Sequence, residues 1–142
     1  MNVLVIHGPN LHLLGERRPD LYGALTLRAL NALLRREAKK LGLALRVFQS
    51  NSEGRIIDLL TANRRWARAL VINPAAYTHY SYAIRDAIEA CGLPAAEVHL
   101  TDISKREPFR RVSVTGPACV KTFKGKGPAS YLEALRYFAA GK

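Results

Sequence analysis

Residues 69–100, ALVINPAAYTHYSYAIRDAIEACGLPAAEVHL, read as strand, turn, helix and strand in a single run. ALVIN (69–73) is a short apolar strand, and Ser81 to Cys91 has the pattern of a helix that Gly92 and Pro94 bring to an end. AEVHL (96–100) is the next strand. A unit of this kind sets two parallel strands side by side with a helix across one face.

The rest of the chain repeats the pattern. Val3 to Ile6 is an apolar strand without alternation, as expected when both faces are covered. Thr26 is placed to cap a helix reaching about Leu41, with Leu27, Leu30, Leu34, Ala38 and Leu41 at helical spacing and Gly42 as the stop. Ala44 to Gln49 is a strand, SNSEG (50–54) a turn, and Glu53 to Arg64 a helix. Ala118 to Phe123 reads as a fifth strand, and Pro128 to Ala140 as a last helix with proline in its first turn. The expectation is one domain over residues 1–142, an α/β fold with a doubly wound, parallel, five-stranded sheet and helices on both faces.

The formal charge is +11, from 22 basic and 11 acidic residues, which raises a nucleic-acid-binding reading. The arginine pairs at 17–18, 35–36, 64–65 and 110–111 are scattered over different elements instead of forming one run, which weakens it. Cys91 and Cys119 follow no metal or redox spacing and read as reduced, partly buried thiols. No signal peptide or membrane span is evident, so a cytoplasmic location is expected.

In such sheets ligands bind beyond the carboxyl ends of the strands. His7–Asn10, Ser50–Ser52, Asn73–His79 and His99–Asp102 fall there, and they include three of the four histidines. HGPNLHLLG has neither the glycine spacing of a dinucleotide loop nor that of a Walker loop, and the histidines form no local metal motif. Glu97 and His99, two apart on a strand, share a face. Such a pair is either a buried structural histidine or a proton donor oriented by a carboxylate. Arg106 and Arg110 supply cations for an anionic ligand. The segment from about 11 to 23 mixes leucines, arginines and Tyr22 but is broken by Gly15, Pro19 and Gly23, and it reads as a mobile cover over the strand ends.

Taken in order, HGPNLHLLGERRPDLYG (7–23), QSNSEG (49–54), INPAAYTH (72–79), EVHLTDISKREPFR (97–110) and SYLEALRY (130–137) resemble the type II 3-dehydroquinate dehydratases over nearly the whole chain. The resemblance implies a flavodoxin-like fold and a homododecamer built as a tetramer of trimers. It implies neither metal nor cofactor, nor a nucleic-acid or membrane partner. The activity it implies is anti elimination of water from 3-dehydroquinate to 3-dehydroshikimate through an enolate, in the shikimate pathway of aromatic amino acid biosynthesis or in quinate breakdown. The family's catalytic base then falls on Tyr22, its helper arginine on Arg17, its general acid on His99 with Glu97 behind it, and its water-placing asparagine on Asn10. Substrate-binding positions fall on Asn73, His79, Arg110 and the backbone amides of Leu100 and Thr101. Asp86 matches an acidic residue reaching the site from a neighbouring subunit. The chain departs from the family's usual residues at His7, Pro74, Tyr80 and Asp102, and over 112–128. The alternatives are a flavodoxin-like binding module without catalysis and a basic nucleic-acid-binding protein.

Overall fold

A computed structural model describes residues 1–141. Strands β1 (Asn2–His7), β2 (Ala44–Gln49), β3 (Ala69–Asn73), β4 (Ala95–His99) and β5 (Lys121–Lys124) form one sheet in the order β2-β1-β3-β4-β5. Each adjacent pair is parallel. Helices α2 (Leu27–Leu41), α3 (Glu53–Asn63), α4 (Tyr82–Cys91) and α5 (Pro128–Ala139) cover the sheet, and α1 (Pro19–Tyr22) is a single turn. The parallel α/β fold expected from the sequence is the one observed.

The period of two along the strands sorts the core into two layers. Val3, Val5, Ala69, Val71, Ala96 and Val98 pack with Leu30, Leu34, Tyr131, Leu135 and Phe138 of α2 and α5. Leu4, Ile6, Leu70 and Ile72 pack with Ile56, Leu60, Ile84 and Ile88 of α3 and α4. Three helices begin on a side-chain cap: Thr26, Ser52 and Ser81 accept hydrogen bonds from the amides of Ala29, Arg55 and Ile84. Caps of this kind contribute about 1 kcal/mol each.

Two differences from the sequence expectation go beyond a single residue. β5 starts at Lys121, because Gly116–Ala118 make a short 3-10 turn instead of strand. Pro117 has no amide to give a ladder, which suits a turn. Residues 11–23, expected to be irregular, contain a 3-10 turn at Leu11–Leu13 as well as α1, and Leu11 and Leu14 are buried in the core.

Where β1 ends, the apolar pattern gives way to a polar one. His7 is fully buried, with Nδ1 2.9 Å from the Tyr131 hydroxyl and Nε2 2.8 Å from Asn31 Oδ1. Asn31 Oδ1 can only accept, so Nε2 carries the proton and Nδ1 accepts from the hydroxyl. Burial lowers the imidazole from 6.5 to about 4, outweighing the opposing pull of Asn31. Between those two values the unfolded chain takes up a proton that the folded chain refuses. Folding stability is therefore expected to fall as pH drops from 6.5 to 4 and to lose no more through this group below that. The loss is limited to about 1.4 kcal/mol per pH unit, roughly 3 kcal/mol in all. Urea unfolding of the wild type and His7→Gln across this range tests it: the variant should show the shallower pH dependence, and equal slopes would refute the assignment.

Candidate active site

The order β2-β1-β3 places the switch in winding direction between β1 and β3, and a crevice forms there beyond the strand ends. His7 stands level with Gln49 on one side and Asn73 on the other. One step on, the Gly8 amide donates to the Asn73 carbonyl at 2.7 Å. A Cβ on Gly8 would lie 2.6 Å from the carbonyl carbon and oxygen of Pro74, so the two loops meet backbone to backbone. Asn51 braces them from β2's end: its Oδ1 accepts from the Asn10 amide at 3.0 Å and from Gln49 Nε2 at 3.0 Å.

A pocket of about 160 Å³ opens on this floor. Asn10, Arg17, Tyr22, Asn73, His79, His99, Leu100, Thr101 and Arg110 all line it, so nine of the eleven residues singled out in the sequence converge there. Glu97 lies behind His99, fully buried. Asp86 does not join them: it is exposed on α4 and borders a separate groove between α3 and α4. Among the described residues, no three His, Cys, Asp or Glu side chains gather in a metal-binding group. Both cysteines are free and half-buried, and burial pushes the Cys119 thiol up to about 12.

The groups around the pocket have their hydrogen-bonding roles set from outside it. Asn73 Oδ1 accepts from the Ala75 amide at 3.0 Å, which leaves its NH2 as donor. His79 Nδ1 is 2.8 Å from the Val112 carbonyl and must donate to it, so Nε2 is left as an acceptor. Burial lowers the His79 imidazole below its ordinary value, against the pull of the Val112 carbonyl, with His99 and Arg110 adding to the lowering. The carbonyls of Leu100 and Thr101 accept from the Gly127 and Gly125 amides at 3.0 and 3.1 Å, which fixes those two peptide planes. Arg110 Nε sits 2.6 Å from Glu107, and its guanidinium lies over the Phe109 ring.

Glu97 and His99 share a face as the strand period requires, with His99 Nε2 3.0 Å from Glu97 Oε2. The approach is close but poorly aligned for a hydrogen bond, and Nε2 has no other acceptor. Burial would push the Glu97 carboxyl up. His99, Thr115 and Ser113 together outweigh burial and hold it below the usual carboxylate range.

The tyrosine brings a residue that sequence reasoning offered only as a general cation. Arg106 Nη1 donates to the Tyr22 hydroxyl at 3.1 Å. Arg17 sits over the ring, its guanidinium carbon 5.3 Å from the centroid. Arg106 is 84 positions from Tyr22, and no local spacing signals such a pair. Among the described residues, three non-glycine residues have left-handed backbones, Asn10 (φ 68°), Arg18 (φ 42°) and Ala75 (φ 53°), and all sit in segments that border the pocket. Strain of about 1–3 kcal/mol per residue collects at sites where geometry is over-determined.

Comparison with known proteins gives a consistent picture. The model for the family described as dehydroquinase class II matches residues 1–139. A 3-dehydroquinate dehydratase from Caldanaerobacter subterraneus subsp. tengcongensis is 50% identical over 133 residues, covering 94% of this chain and 90% of its own. One from Pelotomaculum thermopropionicum is 49% identical over 140 residues, covering 99% and 97%. The crystal structure of a type II dehydroquinase from Butyrivibrio crossotus superposes with a TM-score of 0.95 at 40% identity, covering 96% of each chain.

The meeting of Gly8 with Pro74 makes a prediction. Gly8→Ala has no flexible side chain to displace and must push two backbones apart, at a cost of about 1–3 kcal/mol. The variant is expected to lose several degrees in Tm and at least tenfold in kcat/KM, because Asn10 and Asn73 both hang from this contact. Unchanged Tm and kinetics would show that the floor is not rigid.

Proposed function

The chain belongs to the dehydroquinase class II family and is a hydro-lyase; on that premise we propose that it dehydrates 3-dehydroquinate to 3-dehydroshikimate with Tyr22 as base and His99 as acid. The observation that carries this reading is the pairing at one pocket of a phenol held by an arginine with an imidazole backed by a buried carboxylate. The Tyr22 oxygen takes the proton from the carbon next to the ketone, and the electron pair passes into an enolate. As the enolate collapses, the C–O bond to the departing hydroxyl breaks, and His99 supplies the proton that makes it water. Tyr22 and His99 then exchange their protons back through solvent. Asn10 and Asn73 are placed to hold the oxygen on which charge develops, directly or through a water. The substrate carboxylate is assigned to the fixed peptide planes of Leu100 and Thr101, and its hydroxyls to His79 and Arg110. The place in metabolism that follows is the shikimate pathway.

Magnitudes decide how many cations the base requires. A free phenol ionises at about pH 10, and bringing that to neutrality takes roughly 4 kcal/mol at about 1.4 per unit. One hydrogen bond from a charged donor contributes about 1.5–3 kcal/mol. Arg106 bonds the oxygen, and Arg17, over the ring, is the second cation at hand. The cover that closes over the substrate is narrower than residues 11–23. Leu11 and Leu14 are anchored in the core, so the moving part is bracketed by Gly15 (φ 91°) and Gly23 (φ 77°).

The rise in ultraviolet absorbance of the enone on adding 3-dehydroquinate tests the activity. Arg106→Met is expected to slow turnover at pH 7 by more than tenfold and Arg17→Met by less. Both should recover in part as pH is raised, while Tyr22→Phe stays inactive throughout. Arg18→Met, which removes the exposed partner of Asp20, a cation that Tyr22 feels but does not bond, is the comparison and should slow turnover less than either. If Arg106→Met keeps its neutral rate, or is equally slow at every pH, the arginine does not serve the base.

We also propose that the enzyme works as a homododecamer, a tetramer of trimers, with Asp86 reaching a neighbour's pocket. Support comes from Tyr80, Tyr82, Phe109 and Val112, large apolar side chains that are 59–66% exposed on α4's start and the turns beside the pocket. Light scattering should find an assembly of twelve chains, and an active monomer would overturn the proposal.

A further inference from the structure

Glu97 is a fully buried carboxylate with no lysine or arginine partner among the described residues. Both of its oxygens are nevertheless occupied. The Thr115 hydroxyl donates to Oε1, and the Ser113 hydroxyl donates to Oε2 at 2.8 Å. Ser113 Oγ accepts the Gly116 amide at 2.8 Å, which leaves its one proton for the carboxylate. Gly116 is needed for that approach: a Cβ there would stand 3.0 Å from Ser113 Oγ and 3.3 Å from Glu97 Oε2. The loop is tied down on the pocket side, where the Val114 amide donates to the Thr78 carbonyl at 2.8 Å and His79 donates to that of Val112. Every hydroxyl contact treats Glu97 as an acceptor, as an ionised carboxylate requires and a protonated one does not.

We propose that Ser113 and Thr115 are positioning residues for the proton-donating step: their hydroxyls hold Glu97 as a carboxylate, so that the proton shared by the Glu97–His99 pair rests on His99. A buried carboxylate and an imidazole 3.0 Å apart behave as one unit, and the position of their common proton depends on which partner is better solvated. Without the hydroxyls, burial favours the neutral pair, carboxylic acid beside neutral imidazole. Such an imidazole keeps only the N–H of its neutral ring, a far weaker acid than imidazolium for protonating a departing hydroxyl. The other ionisable groups facing the pair are His79 from the turn after β3, Arg110 from the 108–110 turn, and Cys119 from the loop before β5. Lys124, level with His99 on β5, is turned towards Asp102 at 3.8 Å. None of them donates to the Glu97 oxygens, so that role belongs to the two hydroxyls.

This inference rests on His99 being the acid, and the experiment separates the two. Thr115→Val keeps the shape and removes the donor, Thr115→Ser keeps the donor, and Ser113→Ala removes the second one. Infrared spectra with labelled glutamate report whether Glu97 is an acid or a carboxylate, and nitrogen NMR reports whether the His99 ring is charged, both at neutral pH. The expected result is a carboxylic-acid band and a neutral His99 ring in Thr115→Val. Its kcat should fall tenfold to a hundredfold with KM little changed, the span that losing one hydrogen bond to a charged group covers. Thr115→Ser should restore all three readouts. If Thr115→Val does not fold, Ser113→Ala carries the same readouts. An ionised Glu97 beside a charged His99 in the folded variants overturns the proposal whatever the rate. A displaced proton with unchanged kcat upholds the clamp and overturns His99 as the acid.

Discussion

The backbone contact between Gly8 and the Asn73–Pro74 peptide is the constraint from which the site is built. At the point where the sheet changes winding direction, two loops must leave adjacent strands through the same space, and only the missing side chain of Gly8 lets them do so. The 2.7 Å hydrogen bond from Gly8 to Asn73 closes the gap, and Asn10 and Asn73 hang from it. Asn51 extends the same bracing to β2, since its single oxygen accepts from both Asn10 and Gln49. The floor is thus a hydrogen-bonded plate at the ends of three strands, and the groups on it cannot shift independently.

The carboxyl ends of the strands carry polar groups as deeply buried as the core beneath them, and the partner decides what each group can do. His7 and His99 show this most directly. Both are buried, and both end strands. His7 faces a tyrosine and an asparagine, neither of which offers a charge, so burial keeps it neutral. His99 faces a carboxylate that is itself stabilised by two hydroxyls. The same side chain is therefore a structural pin in one place and the partner of a buried carboxylate at the pocket in the other. Of the departures from the family's usual residues, His7 closes a network inside the core, and Asp102 caps the 103–105 turn through Ser104 while reaching Lys124.

The Tyr22 side of the pocket follows a different logic, since its groups sit on irregular backbone. Arg106 and Arg17 approach from separate segments, one on the oxygen and one over the ring. Both cations reach the same phenol, so two segments distant in sequence converge on one side chain.

Much of this was legible in the sequence, because the signals are local. The period of two along AEVHL put Glu97 and His99 on one face, Thr26 marked a helix start, and alternating strands and helices dictated a parallel sheet with its ligand crevice at the strand ends. The resemblance then placed nine residues that do converge on one pocket. Contacts made across the chain were not legible. Arg106 meets Tyr22 over 84 positions and Tyr131 meets His7 over 124, while Ser113 and Thr115 reach Glu97 from a segment with no regular periodicity. β5 began later than expected for the same reason, since a proline-containing turn takes up the apolar residues that looked like strand. Period and capping depend on neighbours within a few residues, so the sequence alone determined the elements, their order and the face each presents. Which side chains from distant loops share a hydrogen bond depends on how irregular segments pack over the finished sheet, and only the tertiary structure decided that.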